Sequence, residues 1–244
     1  MTTVADFLKR SEEIGGLTDT PLLDVQLLLC YVLKCSSAEL YADTTVHLDQ
    51  EKQNLLSKLF QQRISGVPIA YLTGCKGFWT LNLQVSEATL IPRPETELLI
   101  EMALTLPLPE DATVLDLGTG CGSVVLALSS ERRDWVCTGT DNSTDALEIA
   151  ETNRQSLEFE NVNFEQGDWY GAVAGKRYHL IVSNPPYVAE GDRHLSSGDL
   201  RYEPQSALSA GVDGLNDLKI VIGQAPDFLV EHGWLVTEHG SNQG

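Results

Sequence analysis

The second half of this chain alternates between short apolar runs and helix-like segments, and this alternation is the strongest constraint on the fold. The strand-like runs cover residues 113–117, 135–140, 162–166, 179–183 and 234–238, and the helix-like segments cover 122–131, 144–156 and 214–231. Strands that alternate with helices form a parallel sheet whose faces are covered by right-handed crossovers. The sequence therefore predicts an α/β domain, which we place at residues 92–244.

The first part of the chain has a different character and predicts a separate helical domain over residues 1–73. The run 21–33 begins with proline and is apolar nearly all round, so we expect the central helix of a small bundle there. Ser36 and Glu39 have the spacing of a capping box for the next helix. Residues 74–91 include an alternating run rich in strand formers, which predicts a β-hairpin that links the two domains.

Composition narrows the classes of partner and compartment. The formal net charge is −19, from 16 basic and 35 acidic residues, and no basic stripe is present, so we expect no extensive nucleic-acid surface. No run approaches the roughly 18 apolar residues of a membrane span, and the N-terminus does not resemble a signal peptide. Five cysteines without a Cys-x-x-Cys pair indicate free thiols in a reducing cytoplasm, with neither a metal site nor a disulfide framework.

The turn after the first predicted strand of the α/β domain is rich in glycine. Gly118, Gly120 and Gly122 lie between residues 113–117 and the following helix-like segment. Glycine lets the backbone bend sharply and approach a ligand closely. The dinucleotide-binding fingerprint needs a glycine where Ser123 stands, so the spacing disfavours a nicotinamide cofactor and favours another nucleoside-type cofactor.

Acidic residues follow the next two predicted strands. Asp141 lies about 20 residues beyond the glycines, where a carboxylate takes the two hydroxyls of an adenosyl ribose. Its alternative role is to cap the helix that begins near Ser143. Asp168 suits an exocyclic adenine amine and Trp169 suits the flat face of the ring, although Trp169 could instead pack on the sheet edge.

The tetrapeptide Asn184-Pro185-Pro186-Tyr187 follows the fourth predicted strand. Two consecutive prolines fix two φ angles and remove two donors, so the carbonyls of Asn184 and Pro185 can point into a cleft. An amide oxygen, a free carbonyl and an aromatic face on one turn suit a flat group that carries an NH2. The alternative is an ordinary strand-ending turn with a packed tyrosine. Because carboxyl ends of adjacent strands meet at one sheet edge, we expect all of these motifs in one cleft.

Together these motifs resemble class I S-adenosylmethionine-dependent methyltransferases that modify planar NH2 groups. Residues 90–97, 116–122 and 183–187, the small helical domain and the hairpin are similar to the release factor glutamine methyltransferase family over essentially the whole chain. The resemblance implies a Rossmann-like class I methyltransferase domain, with a connecting β-hairpin and a small N-terminal helical bundle that recognises the protein substrate.

The resemblance also implies an activity and its residues. It implies methyl transfer from S-adenosyl-L-methionine to the side-chain amide nitrogen of a glutamine in peptide-chain release factors, with S-adenosyl-L-homocysteine as product. Asp168 joins the expected donor contacts because it follows the third strand. The expected donor contacts are Gly118, Thr119, Gly120, Cys121, Gly122, Asp141, Asp168, Trp169 and Asn184. The expected substrate contacts are Asn184, Pro185, Pro186 and Tyr187, and the catalytic candidates are Asn184, Pro185 and Tyr187.

Two other functions share these features. The same tetrapeptide fits a nucleic-acid adenine or cytosine amino-methyltransferase, although the acidic charge disfavours it. The third hypothesis is a catalytically inactive binding module. In the resembled family the sheet continues beyond the strand at 234–238, by about 30 residues, whereas this sequence ends at Gly244. We therefore expect the final strands to be missing and the domain to be truncated at its C-terminus.

Overall fold

A computed structural model describes residues 2–196 and 198–244. The chain divides into two compact units, and each is described here by itself. Unit 1 comprises Met1–Gly74 and Ser196–Tyr202, and unit 2 comprises Cys75–Leu195 and Glu203–Gly244. Within the described ranges, no helix is both long enough and apolar enough to cross a membrane.

Unit 1 is helical. Its α-helices are α1 (Val4–Leu8), α2 (Pro21–Leu33), α3 (Ser37–Ala42), α4 (Gln50–Ile64) and α5 (Ile69–Thr73), with a 3-10 helix at Lys9–Ile14. The predicted capping box is confirmed, because Ser36 Oγ accepts from the Glu39 N–H while the Glu39 carboxylate accepts from the Ser36 N–H. These reciprocal bonds satisfy two donors at the start of α3 that have no partner inside the helix.

Helix α2 is buried on one face only. Val25, Leu28 and Leu29 are fully buried in the core of unit 1, where α2 packs against α4 and α5. The opposite face carries large apolar side chains that are 38–49% exposed, namely Leu22, Leu23, Leu27 and Tyr31. The prediction of a central helix is confirmed, because α2 contacts every other helix of residues 1–74. Its exposed apolar face was not predicted, since an apolar composition alone does not say which faces find a partner.

A buried ion pair lies in the core of unit 1. Arg63 on α4 donates from Nε to Asp24 Oδ2 on α2 over 2.7 Å, and both side chains are more than 90% buried. Arg63 Nη1 also donates to Asp199 Oδ1 over 3.0 Å. In the same segment, Tyr202 donates to the carbonyl of Ser65 over 2.6 Å. These contacts explain why Ser196–Tyr202 belongs to unit 1, although the sequence prediction assigned these residues to the α/β domain.

Unit 2 begins with an antiparallel hairpin and continues as an α/β sheet. The hairpin strands are β1 (Cys75–Phe78) and β2 (Leu81–Gln84). The sheet contains β3 (Thr113–Leu117), β4 (Val136–Asp141), β5 (Val162–Gln166), β6 (Tyr178–Ser183) and β7 (Leu229–Thr237). Its helices are α6 (Glu97–Thr105), α7 (Ser123–Glu131), α8 (Thr144–Ser156) and α9 (Asn216–Phe228). Each of β3 to β6 starts and ends within one residue of its predicted bounds.

The sheet is parallel throughout, with strand order β5-β4-β3-β6-β7. The predicted α/β fold is therefore confirmed. The chain winds outward from β3 first in one direction and then in the other, so β3 marks the point at which the strand order reverses. Ligands of such sheets bind in the crevice outside the carboxyl ends of the strands at this point. The loops that follow β3, β4 and β6 surround that crevice.

The boundary between α9 and β7 differs from the prediction. The predicted helix extends to residue 231, but α9 ends at Phe228 and Leu229 already pairs with Tyr178 of β6. A register shift follows, and His232 has a positive φ of 62°. Leu229 and Val230 fit a helical stripe as well as a strand, and periodicity cannot decide between the two for so short an apolar run. Pairing with β6 decides it in the folded chain.

Candidate active site

The glycine turn after β3 depends on backbone conformations that favour glycine. Gly118, Gly120 and Gly122 have φ values of 70°, 57° and 84°. A Cβ at Gly122 would also lie 2.9 Å from Leu126 Cδ1, 3.3 Å from Phe164 Cζ and 3.4 Å from Ala150 Cβ, so the positive φ and the crowding together favour glycine. Gly120 donates its backbone N–H to Asp141 Oδ2 over 2.9 Å, which ties the turn to the end of β4.

Asp141 connects the two neighbouring loops. Its Oδ2 accepts from Gly120, and its Oδ1 accepts from the Ser143 N–H over 2.9 Å. The side-chain cap of α8 is Ser143, which accepts from the Ala146 N–H over 3.2 Å. Asp141 therefore supports the start of α8 without being its N-cap. Its carboxylate also lines a cavity at the carboxyl ends of the sheet, called here the main cavity of the site, where an incoming hydroxyl can reach the remaining lone pairs.

Asn153 fixes the glycine turn from the other side. Its Nδ2 donates to the carbonyl of Cys121 over 2.9 Å and to that of Gln84 on the hairpin over 3.0 Å. Its Oδ1 accepts from the Gln84 N–H over 2.7 Å. The side chain is buried on α8. One amide thus satisfies backbone groups of both the hairpin and the turn, and holds the turn in place.

The main cavity lies at the carboxyl ends of the sheet and has a volume of about 330 Å³. Among the described residues that line it, four are aspartates and none is lysine or arginine. The four are Asp141, Asp145, Asp168 and Asp217. Burial, and then the neighbouring Asp168 carboxylate, raises the pKa of Asp217. Thr140 also lines the cavity, and its buried Oγ1 has no partner among the described residues. This lining suits a ligand with positive charge and hydroxyl groups.

Trp169 borders the same cavity in a strained conformation. Its φ is +46°, which is uncommon for a bulky residue. Its ring lies opposite the glycine turn, since a Cβ at Gly118 would be 3.7 Å from Trp169 Cζ3. The side chain is half-buried and also packs against the core of unit 2. The ring is therefore placed to flank a flat ligand while keeping the packing role that the sequence left open.

The Asn184-Pro185-Pro186-Tyr187 turn is attached to unit 2 at its start. Ser183 donates from Oγ to the Leu117 carbonyl over 2.8 Å, which joins the ends of β6 and β3. Asn184 donates from Nδ2 to Thr96 Oγ1 over 3.1 Å, and Thr96 is buried. The amide oxygen of Asn184 is thereby left to accept. Asn184 lines the main cavity and also a second cavity of about 40 Å³.

The two cavities bring together most, but not all, of the predicted site residues. The main cavity is lined by Gly118, Gly120, Asp141, Asp168, Trp169, Asn184 and Pro186, and the second also by Thr119 and Cys121. Within the described ranges, Gly122, Pro185 and Tyr187 line neither one. Gly122 serves the packing of α7, Pro185 is buried, and Tyr187 donates its hydroxyl to Glu238 Oε1 over 2.9 Å.

Several residues of this region were given no role from the sequence. Glu203, whose side chain is fully buried, accepts from the Ile91 N–H over 3.0 Å and pairs with Arg93, which lines the second cavity. Thr140 and Asp217 also lie outside the motifs, and Thr96 lies within residues 90–97 without a role assigned from the sequence. The contacts of Thr96 and Glu203 have no local sequence signal, because their partners lie roughly 90–110 positions away along the chain.

We expect Asp141→Ala to weaken binding of S-adenosylmethionine by about 10- to 100-fold, because the variant would lose the predicted hydrogen bond to the ligand as well as the bond to Gly120. Isothermal titration calorimetry with S-adenosylmethionine measures the dissociation constant. The matched control is Asp134→Ala, on an exposed loop residue outside both cavities. Unchanged affinity of the Asp141 variant would remove this residue from the ligand site.

Asp116 makes stability depend on pH. It is fully buried at the end of β3 and accepts from Thr119 Oγ1 over 2.6 Å. Burial raises its pKa from the usual 3.8 to about 7. The folded state holds the Asp116 proton more tightly than the unfolded state does. The resulting contribution to the free energy of unfolding is complete below pH 4 and disappears as pH rises through 7.

We therefore expect Asp116→Asn to stabilise the ligand-free protein relative to wild type at pH 8 and to have less effect at pH 5. The substitution keeps an acceptor for Thr119 and removes the buried charge. Urea unfolding followed by tryptophan fluorescence reports on unit 2, because all four tryptophans lie there. The same stability difference at both pH values would contradict the raised pKa.

Comparison with known proteins places the chain in a family. A family model described as "Methyltransferase small domain" matches residues 94–199, and one described as "PrmC N-terminal domain" matches residues 4–74. Two curated relatives carry the name release factor glutamine methyltransferase. The one from Coxiella burnetii is 47% identical and matches 96% of this chain and 84% of its own length. The one from Pseudomonas aeruginosa is 45% identical and matches 100% of this chain and 88% of its own length. The chain belongs to the release factor glutamine methyltransferase family.

Proposed function

We propose that this protein transfers a methyl group from S-adenosylmethionine to the side-chain amide nitrogen of a glutamine in a peptide-chain release factor. The observation that carries the proposal is the position of Asn184. Its Nδ2 is engaged by Thr96, and the residue lines both the main cavity and the smaller cavity beside it. An amide oxygen at this point can face a donor in one cavity and a substrate group in the other.

The main cavity fits the proposed donor. S-adenosylmethionine carries a positive sulfonium and an adenosyl group, and the aspartates of the lining complement the positive charge. Asp141 would take the ribose hydroxyls, while Asp168 and Trp169 would hold the adenine. When bound, the donor would supply an electrophilic methyl group. The C–N bond would form as the C–S bond breaks, which leaves neutral S-adenosylhomocysteine, and the methylated nitrogen would release one proton to solvent.

The tetrapeptide turn would position the nitrogen that accepts the methyl. An amide nitrogen is a weak nucleophile because its lone pair is delocalised into the carbonyl. Asn184 Oδ1 and the Pro185 carbonyl would each accept one N–H of the substrate, which directs the lone pair away from the amide plane. In the described residues no backbone N–H donates to the Pro185 carbonyl, so no main-chain hydrogen bond competes for this oxygen. Two preorganised acceptors also stabilise the positive charge that develops on nitrogen.

Tyr187 and Pro186 complete the proposed substrate site within unit 2. The Tyr187 ring would pack on the flat amide, and Pro186 would shape the wall of the main cavity. Unit 1 would recognise the release factor, in the cytoplasm, where translation termination occurs. The formal net charge of −19 supports a protein substrate and disfavours an extensive nucleic-acid surface.

Methyl transfer from labelled S-adenosylmethionine tests the proposal. The purified protein is incubated separately with a release factor, with double-stranded DNA and with RNA. We expect label on the release factor alone. Label on DNA or RNA and none on the factor would replace the protein substrate by a nucleic acid, and no transfer to any of the three would refute a methyltransferase of either kind.

A further inference from the structure

Tyr187 is held at its hydroxyl end by a carboxylate from the neighbouring strand. Its Oη donates to Glu238 Oε1 over 2.9 Å. Glu238 directly follows β7, and its N–H donates to the Ser183 carbonyl over 3.0 Å. The residue thus lies beside the start of the tetrapeptide, in register with the end of β6. Its position is set by two paired strands, which hold a side chain more precisely than a loop does.

The main chain of Tyr187 is held as well. Gln243 donates from Nε2 to the Tyr187 carbonyl over 3.0 Å, and its Oε1 accepts from the Gly240 N–H over 2.8 Å. Gly214 packs closely against the same carbonyl, since a Cβ there would lie 2.3 Å from the oxygen. Tyr187 is therefore held both at its main-chain carbonyl and at its hydroxyl, and Glu238 fixes the hydroxyl end of the ring.

The chemistry of Glu238 gives this contact a direction. A carboxylate only accepts hydrogen bonds, so the Tyr187 hydroxyl must donate to it and cannot donate to a substrate. Burial, and then the Glu238 carboxylate, raises the pKa of Tyr187, so the phenol stays neutral. The second oxygen, Oε2, is buried without a partner in the described part of the chain. An unpaired buried acceptor lowers stability, so folding alone gives no reason for a carboxylate here.

We propose that Glu238 is a positioning residue for methyl transfer, which fixes the Tyr187 ring against the substrate amide through the hydroxyl contact. This proposal rests on the proposed function. A ring free to turn would hold the amide less firmly in the reacting geometry. The rate constant kcat would then fall, while KM for the release factor and the affinity for S-adenosylmethionine would change little.

Four variants of the full chain test this role, with release factor as substrate. We expect Glu238→Ala to lower kcat about 30-fold, and Tyr187→Phe to match it, because each removes the same charge-assisted bond. Glu238→Gln keeps an acceptor and should recover most of the rate. The double variant Glu238→Ala/Tyr187→Phe should be no slower than either single variant, because both remove one interaction. The exposed control Glu231→Ala on β7 should match wild type.

Four further results separate the possible failures. Wild-type protein that methylates no release factor would refute the proposed function itself. Active wild type with an equally active Glu238→Ala variant would refute the positioning role alone. A double variant whose loss of kcat is the product of the two single losses would also overturn the positioning role. So would a Glu238→Ala variant whose calorimetric affinity for S-adenosylmethionine falls along with kcat, since either result indicates a general structural effect. We expect that affinity to stay within about twofold of wild type.

Discussion

Asn184→Ala is expected to lower methyl transfer to the release factor by about 1000-fold. The substitution removes the amide oxygen that would accept a substrate N–H and leaves Thr96 without its contact to the turn. Affinity for S-adenosylmethionine should fall only moderately, because the aspartates and the glycine turn of the main cavity remain. Single-turnover transfer of labelled methyl and calorimetric titration of the donor measure the two effects separately.

Asn163→Ala is the matched control, because Asn163 is an exposed asparagine on β5 and lines neither cavity at the carboxyl ends of the sheet. It should retain wild-type activity. An Asn184→Ala variant that keeps most of its turnover would contradict the role of the amide. A variant that loses donor binding as fully as it loses turnover would assign Asn184 to the cofactor alone.

Asp24→Ala is expected to destabilise unit 1 by about 3–5 kcal/mol. Its removal leaves the buried Arg63 guanidinium with Val67 O and the half-exposed Asp199 as its remaining described partners. Hydrogen-exchange mass spectrometry of peptides from α2 and α4 measures local opening within the full chain. Those peptides should exchange much faster than in wild type.

Asp199→Ala provides the comparison for this ion pair. The Asp199 side chain is 43% exposed, so its loss should change the stability of unit 1 by no more than about 1 kcal/mol. Tryptophan fluorescence, which reports on unit 2 alone, should be unchanged at equilibrium in both variants. Equal exchange rates in α2 for Asp24→Ala and wild type would show that the buried pair contributes nothing to unit 1.

Local patterns were sufficient to predict most of unit 2. Strands β3 and β5 have the predicted bounds. Strand β3 is a mostly apolar run, whereas β5 alternates the apolar Val162 and Phe164 with polar residues. The loops that follow β3, β4 and β6 meet at one crevice because parallel order brings carboxyl ends together. Most of the motif residues were therefore expected at this crevice, whereas the role of each one remains a prediction to be tested by substitution.

Contacts between distant parts of the chain were not predictable. Thr96 and Glu203 reach the site through contacts with residues far away in sequence. Thr96 lies in the 90–97 motif without an assigned role, and no periodicity or motif marks Glu203. Glu238 was predicted only as the end of a strand, and its contact with Tyr187 depends on the register of β7 beside β6. The exposed face of α2 and the early start of β7 were missed because apolar character does not specify the packing partner.

The most direct test is tandem mass spectrometry of a release factor after incubation with S-adenosylmethionine and either wild-type protein or Asn184→Ala. The wild-type sample should carry one added methyl group, and the fragments should place it on the side-chain amide of a glutamine. The Asn184→Ala sample should remain unmodified. A methyl group on any other side chain, or equal modification by both proteins, would contradict the proposed function of the Asn184-Pro185-Pro186-Tyr187 turn.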